Sequence, residues 1–248
     1  MISILLFIFG IVFGSFVSAL SWRIPKAISI AKGRSICPNC KHQIAWYDNI
    51  PLLSYLLLSG RCRNCKEKIS LRYPAIELAS GAGFVIIYLL GAYSLLQLVL
   101  VLSIFVILLT IFIVDIEQQI IPDSLIFTGI FVVLLYSSMG SPQLVISSIF
   151  SGFVAASFLM LIHLFTAGRG MGMGDVKFAI LGGMLVGLNL LPFWLLLSFL
   201  TGATVGSILI LSGKAKMKTK IAFGPFLVAG VALAFAFGSK LAGLIGLT

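Results

Sequence analysis

The chain has 248 residues, of which 60% are hydrophobic and only 10% are charged, and its mean hydropathy is +1.18. A water-soluble domain of this length does not need so much apolar surface, so the composition excludes that class and predicts a polytopic membrane protein. The net charge of +10 does not indicate nucleic-acid binding, because ten of the seventeen Lys and Arg residues lie in one stretch, 23–72. Basic residues grouped in this way mark the cytoplasmic loops of membrane proteins.

The first predicted element is a transmembrane helix over 1–22. This stretch is apolar from Met1 onwards, has no basic segment before it, and is followed by Arg23 and Lys26 rather than by a small-residue cleavage site. These features distinguish it from a cleavable signal peptide. The basic residues that follow it place the N-terminus outside.

Residues 23–73 form a polar loop that contains all four cysteines of the chain, in two CxxC pairs separated by 21 residues. Such pairs supply the four thiolates of a tetrahedral zinc site, and in a reducing compartment metal binding is favoured over disulfides. The loop is therefore predicted to be a small, ribbon-like cytoplasmic domain stabilised by structural zinc. The predicted ligands are Cys37, Cys40, Cys62 and Cys65.

Seven more apolar runs are long enough, or nearly so, to span a bilayer. They lie at about 74–91, 95–114, 124–138, 143–165, 175–188, 191–211 and 224–246. We therefore predict an all-α membrane protein of about eight transmembrane helices, divided into the first helix (1–22), the loop domain (23–73) and a seven-helix membrane domain (74–248).

The connections between these helices support one orientation. The predicted outer connections at 91–94, 140–142 and 189–192 contain no Lys or Arg, whereas the predicted cytoplasmic ones contain Arg169 and a basic cluster. Glycines four residues apart predict close packing between helices. The basic cluster comprises Lys214, Lys216, Lys218 and Lys220, and the glycine pairs are Gly10/Gly14, Gly183/Gly187 and Gly202/Gly206.

Two aspartates stand at the predicted cytoplasmic ends of helices. Asp175 follows a glycine-rich loop and opens a helix, and Asp115 ends the helix over 95–114. A carboxylate at the membrane edge is costly unless it is paired or hydrated. Two carboxylates held close together can share a proton and act as acid and base. The residues alone leave Asp115, Glu117 and Asp123 as partners for Asp175, and Asp123 also suits the cap of the helix after Pro122.

Several motifs together resemble the bacterial type IV prepilin peptidases. Gly172-Met173-Gly174-Asp175 matches the GxGD signature of intramembrane aspartyl proteases. The stretches 115–123 and 72–78, the four-cysteine loop and Gly60-Arg61-Cys62 also match, in the family's order and over nearly the whole chain. One departure is Ser18-Ala19 in the first helix, where many members carry an asparagine.

The resemblance implies a bifunctional enzyme of the bacterial inner membrane. It would cleave the leader of type IV prepilins and pseudopilins on the cytoplasmic side, and then N-methylate the new N-terminal residue with S-adenosylmethionine. It implies Asp115 and Asp175 as the catalytic pair, with Gly172, Gly174 and Lys177 in the active-site loop. Candidates for contacts with substrate or methyl donor are Glu77, Gly60 and Arg61.

Two of these residues have simpler explanations. Lys177 lies two residues after Asp175 and projects away from it on a helix, so a contact with anionic headgroups is slightly favoured over a substrate contact. Glu77 stands in the first predicted turn after Pro74, where a carboxylate stabilises the helix dipole. It is equally suited to hold the amine of a leader or of S-adenosylmethionine.

Two alternatives to the bifunctional enzyme stay open. One is a GxGD peptidase without methyl transfer, because no glycine-rich nucleotide-binding fingerprint follows a predicted strand. The other is a transporter or scaffold anchored by a zinc-stabilised cytosolic loop. The second would explain the helices and the cysteines but not two acids at matching membrane depth beside a glycine loop.

Overall fold

The computed structural model describes residues 1–30, 33, 35–214 and 221–244, and of 239–244 only the backbone. The predicted basic residues Lys216, Lys218 and Lys220 lie outside these residues. Within them the chain is helical, with isolated β-bridges but no β-strand. The α-helices are α1 (Ile2–Arg23), α2 (Leu53–Leu57), α3 (Arg72–Leu90), α4 (Leu95–Gln118), α5 (Asp123–Ser138), α6 (Pro142–Phe165), α7 (Met173–Leu211) and α8 (Gly224–Leu244).

Five of the described helices are long and apolar enough to cross a membrane: α1, α3, α4, α6 and α7. Helix α5 is apolar but shorter, as is Gly224–Gly238, the part of α8 whose side chains are described, and α7 contains two of the predicted spans. The prediction of an all-α membrane protein with about eight helices is confirmed.

Helix α7 differs from the prediction at the junction between its two spans. The backbone leaves the helical region at Gly187, with φ 73° and ψ 167°, and the helix continues through Pro192. Glycine adopts this conformation without the steric cost that a Cβ would impose. The predicted connection at 189–192 was therefore wrong, because the chain bends at a single glycine before the Asn and Pro that suggested a turn.

The chain divides into two compact units, Met1–Thr110 and Ile111–Thr248. In the first unit, α1 packs along α3. A Cβ at Gly10 would lie 2.7 Å from Gly81 Cα, and one at Gly14 would lie 2.6 Å from Glu77 Cα. The predicted packing role of this glycine pair is confirmed, since only glycine lets the two backbones approach so closely.

In the second unit, α7 packs against α5, α6 and α8. Phe178, Leu181 and Trp194 on α7 are fully buried there. Gly183 lies against α6, since a Cβ there would come within 2.7 Å of the Ser151 carbonyl oxygen, whereas a Cβ at Gly187 would meet no other part of the described chain within 4 Å. The packing prediction thus holds for Gly183 and is wrong for Gly187, which forms the bend.

Candidate functional site

Asp175 is held by the turn that starts α7. It is the third residue of the helix and 8% exposed. Its Oδ2 accepts a hydrogen bond from the Gly172 N–H at 3.1 Å, and its own N–H donates to the Gly172 carbonyl oxygen at 3.2 Å. The preceding loop is fastened to α6, because Nδ1 of His163 lies 2.8 Å from the Met171 carbonyl oxygen. The carboxylate is thus fixed at a helix N-terminus.

Asp115 lies in the last turn of α4 and is 4% exposed. The backbone amide of Gly224, at the start of α8, faces its carboxyl group. A Cβ at position 224 would lie only 2.5 Å from Asp115 Oδ2, so the carboxyl group occupies the space that a larger residue would fill. Within the described residues, Oδ2 has no hydrogen-bond partner. This oxygen therefore stays available to a small polar molecule.

The two aspartates lie close enough for their charges to interact. Ile121 lies next to a glycine near each aspartate, Gly174 before Asp175 and Gly224 beside Asp115. A Cβ at Gly174 would lie 3.3 Å from Ile121 Cβ, and one at Gly224 would lie 3.1 Å from Ile121 Cδ1. The end of α4 and the starts of α7 and α8 therefore meet around one apolar side chain, with both carboxylates beside it.

The other two candidate partners of Asp175 differ from Asp115 in their surroundings. Glu117 is exposed. Both oxygens of Asp123 accept hydrogen bonds from Lys177 Nζ, at 2.8 and 2.9 Å. Asp123 is the first residue of α5 and makes no capping hydrogen bond, so its predicted role as a cap was wrong. The Lys177 amine is thus paired with Asp123, and its contact with anionic headgroups stays a prediction.

The four cysteine sulfur atoms come together within 4.8 Å of one another. Cys37 Sγ and Cys65 Sγ are 3.9 Å apart. Tetrahedral zinc with Zn–S bonds of about 2.3 Å separates its sulfurs by about 3.8 Å. The cluster therefore fits a tetrahedral metal ion.

The two CxxC pairs adopt the same local turn. Lys41 N–H donates to the Cys37 carbonyl oxygen at 2.9 Å, and Lys66 N–H donates to the Cys62 carbonyl oxygen at 3.0 Å. Both lysines have positive φ, 58° and 59°. The Cys40 backbone amide, donating to the Cys37 sulfur, lowers the pKa of the Cys37 thiol to about 7. A thiolate at neutral pH is the form that binds metal.

An ion pair joins the cysteine ribbon (residues 35–44 and 60–70) to the segment 45–59 between its two cysteine pairs. Arg63 binds Asp48 with two hydrogen bonds, Nε to Oδ2 at 2.8 Å and a terminal nitrogen to Oδ1 at 2.7 Å. Hydrogen bonding to this guanidinium lowers the pKa of the Asp48 carboxyl group. Asp48 is therefore already neutralised within the ribbon.

A cavity of about 860 Å³ lies in the first unit. Its walls come from α1, the cysteine ribbon, the segment 47–58 and the start of α3, and Glu77 lines it. Glu77 is 7% exposed, and its Oε2 accepts a hydrogen bond from the Leu52 N–H at 2.8 Å. Because α3 begins at Arg72, Glu77 lies in its second turn, and the predicted first-turn position was wrong.

Gly60 and Arg61 line a separate, smaller cavity of about 320 Å³. Gly60 has a φ of 65° and its N–H donates to the Tyr55 carbonyl oxygen at 2.8 Å. Tyr55 lines both cavities, whereas Glu77 lines only the larger of the two. The structure thus places Glu77 in one cavity and the Gly60-Arg61 pair in its neighbour.

Sequence reasoning missed four residues around these sites: Ser15, Leu52, Ile121 and Gly224. The glycine before Pro225, at the start of an apolar helix, was a signal for Gly224. Nothing in the sequence indicated a role for Leu52, because leucine rarely adopts the φ of 57° that it has here.

These features define the class of the protein: a multi-helix membrane protein with two adjacent buried aspartates and a four-cysteine ribbon. The chain belongs to the type IV leader peptidase family. The model of that family matches residues 100–207, and that of the bacterial peptidase A24 N-terminal domain matches residues 8–90.

Several curated relatives carry the name prepilin leader peptidase/N-methyltransferase. The one from Vibrio cholerae serotype O1 is 36% identical over 207 residues, which are 79% of this chain and 81% of the relative. That from Stutzerimonas stutzeri is 34% identical, covering 87% of this chain and 75% of the relative. That from Bacillus subtilis is 32% identical, covering 96% and 95%. No solved structure matches the chain.

Proposed function

We propose that the protein is an intramembrane aspartyl endopeptidase that removes the leader of type IV prepilins or pseudopilins. It then methylates the amine of the new N-terminal residue with S-adenosylmethionine. The observation that carries this proposal is the pair of buried aspartates, Asp115 and Asp175, in a chain of the type IV leader peptidase family. The names of the relatives support both activities.

The aspartate pair would act as a proton relay for hydrolysis. The ionised carboxyl group takes a proton from water, and the resulting hydroxide attacks the scissile carbonyl carbon. The protonated carboxyl group gives its proton to the carbonyl oxygen, and the carboxyl group that took the proton from water later gives that proton to the leaving amine. Gly172 and Gly174 leave the approach to Asp175 free of side chains, which suits an extended peptide backbone. Lys177 holds Asp123 and so ties α5 to α7 beside the pair.

We place the protein in the bacterial inner membrane with its N-terminus outside. The cysteine ribbon and both aspartates then lie on the cytoplasmic side. The basic residues of 23–72 and Arg169 support this orientation. A leader that has not crossed the membrane would meet the aspartates where its apolar segment enters the bilayer.

Methyl transfer is assigned to the loop domain 23–73 with its flanking helices, and leader cleavage to the membrane domain 74–248. Cys37, Cys40, Cys62 and Cys65 would hold zinc, whose role when bound is to fix the fold of the ribbon. Four protein ligands would leave no open coordination position, so the role of the metal would be structural. Glu77, Gly60 and Arg61, in the two cavities beside the ribbon, are the candidates for contacts with substrate or methyl donor.

One experiment tests the whole proposal. The purified protein is incubated in detergent with a prepilin and S-adenosylmethionine, and the products are examined by intact mass spectrometry. We expect loss of the leader followed by a gain of one CH2 on the mature chain. Leader loss without that gain would support the peptidase that lacks methyl transfer. An intact prepilin would instead support the transporter or scaffold.

A further inference from the structure

The 860 Å³ cavity has the size of a small-molecule site and a polar wall on its helical side. Ser15 and Ser18, one turn apart on α1, and Glu77 on α3 line this side. Such a wall is unusual between two apolar membrane helices, where each buried polar group costs free energy unless it is satisfied.

Glu77 is buried in this wall without a compensating cation. Its hydrogen-bond donors are neutral, the Leu52 N–H at 2.8 Å and the Ser15 hydroxyl group. Glu77 is not a member of the Asp48–Arg63 or the Asp123–Lys177 ion pair. A buried carboxylate of this kind is stabilised by a cationic ligand.

Ser18 provides a second, independent indication of a ligand. Its side chain is 4% exposed, lines the cavity, and has an Oγ with no hydrogen-bond partner among the described residues. A buried hydroxyl group without a partner is costly in an apolar setting. A polar ligand in the cavity would satisfy Ser18 and Glu77 together.

The other acids of the cavity wall are unsuited to bind such a cation. Asp48 is neutralised by Arg63, and Glu67 is exposed to solvent. The remaining charged residues of the wall are basic: Arg23, Lys41, Arg63 and Lys68. A cation entering the cavity is therefore directed to Glu77.

We propose that Glu77 binds the α-ammonium group of the acceptor peptide and takes its proton, so that it is a catalytic residue of methyl transfer. This inference rests on the proposed function. The proton moves from nitrogen to the carboxylate, which neutralises two opposite charges, as the burial of Glu77 favours. The freed lone pair then attacks the methyl carbon of the sulfonium donor. The N–C bond forms, the C–S bond breaks, and its electron pair stays on sulfur as a neutral thioether.

The experiment separates methyl transfer from leader cleavage by using a synthetic mature N-terminal peptide with a free amine. Its rate of methylation is measured by mass spectrometry for wild type, Glu77→Gln and Glu77→Asp. Glutamine keeps an oxygen that accepts the Leu52 hydrogen bond, so the wall is preserved while the base is removed. The matched control is Glu117→Gln, the same change at an exposed position of the other unit.

We expect Glu77→Gln to methylate this peptide at least about a hundredfold more slowly, the usual effect of removing a general base. Glu77→Asp should methylate the peptide faster than Glu77→Gln but more slowly than wild type. The control Glu117→Gln should methylate it at the wild-type rate. Leader cleavage of an intact prepilin by the same preparations should equal that of wild type. Methylation by Glu77→Gln at the wild-type rate would overturn the proposal, as would loss of leader cleavage in both Glu77 variants, which would indicate a role in folding.

A second peptide tests the proton transfer itself. It begins with β,β-difluorophenylalanine, whose fluorines withdraw electrons and leave the amine largely unprotonated at neutral pH. Because this acceptor does not need a base, the ratio of wild-type to Glu77→Gln rates should fall at least about tenfold relative to the first peptide. An equal ratio for both peptides would contradict proton transfer to Glu77. A wild-type protein that methylates neither peptide would overturn the proposed methyl transfer itself, and this inference with it.

Discussion

The cysteine ribbon and the helices around Asp175 are ordered by different means. Between 35 and 70, Cys37 is the one buried hydrophobic side chain of the ribbon and its connecting segment. Around Asp175, by contrast, Val176, Phe178, Ala179 and Leu181 are all buried within two turns. A region without a core depends on cross-links such as metal ligands and ion pairs, whereas a packed region does not. Treatments that disrupt one region should therefore spare the other.

The largest expected effect is on the ribbon. Replacing Cys37 and Cys40 by Ser removes half of the thiolates and with them most of a binding free energy of about 10–16 kcal/mol. We expect bound zinc to fall from one ion per chain to none, by elemental analysis, with loss of methyl transfer. Leader cleavage should persist at no less than about half the wild-type rate. Zinc content unchanged in the double variant would contradict the four-cysteine site.

The converse change removes the proposed catalytic pair and spares the ribbon. Asp115→Asn and Asp175→Asn should each slow leader cleavage by about 10²–10⁴-fold, because an amide cannot relay a proton. Both variants should retain zinc and should methylate a synthetic mature peptide normally. Cleavage is monitored by gel mobility. Complete cleavage of a prepilin by either variant would rule out catalysis by these two aspartates.

Helix packing in the first unit can be tested by one added methyl group. Gly14→Ala places a Cβ 2.6 Å from Glu77 Cα, so α1 and α3 must separate. We expect a loss of about 1–3 kcal/mol in stability, measured by thermal unfolding in detergent. Gly206→Ala is the matched control, since its Cβ would meet Ile221 at an ordinary 3.7 Å. Equal stability of the two variants would show that the close approach is not needed.

The smallest effect concerns the Asp48–Arg63 pair. The pKa of Asp48 is lowered in the folded chain, so its contribution is present above the ordinary aspartate pKa of about 3.9 and is lost as the pH falls further. Arg63 is 59% exposed, so solvent screening keeps the effect small. Asp48→Asn should speed hydrogen exchange over 46–54 at pH 6, and the difference from wild type should shrink as the pH falls below about 3.9. A difference in exchange rate that persists at low pH would mean that loss of the Asp48 charge is not its cause.

Much of the fold follows directly from the sequence. Long apolar runs indicate helices because a bilayer imposes their length, and the two CxxC pairs indicate a cluster because each pair forms its own local turn. Asp115 was one of three possible partners for Asp175 on the residues alone, and the family resemblance selected it. The structure brings it beside Asp175, while Asp123 binds Lys177.

The rest could not be predicted because it depends on contacts between distant residues. Glu77 and Leu52 are 25 positions apart, and Lys177 and Asp123 are 54 apart. The Leu52 amide reaches Glu77 only because leucine adopts a positive φ, a conformation that costs about 1–3 kcal/mol and leaves no mark in the sequence. The bend at Gly187 was not predicted because Asn189 and Pro192 are stronger turn signals, and they placed the predicted connection at 189–192.

Because α1 contributes a polar wall to the cavity, it cannot be replaced by an arbitrary apolar membrane helix. A generic apolar anchor of equal length would insert into the bilayer, but it would lack Gly10 and Gly14 for contact with α3 and Ser15 and Ser18 for the cavity. The first helix is therefore not an interchangeable tether for the enzyme. A chimaera with a foreign anchor should still be delivered to the membrane, yet the 860 Å³ cavity of its amino-terminal half would lack the wall that α1 provides.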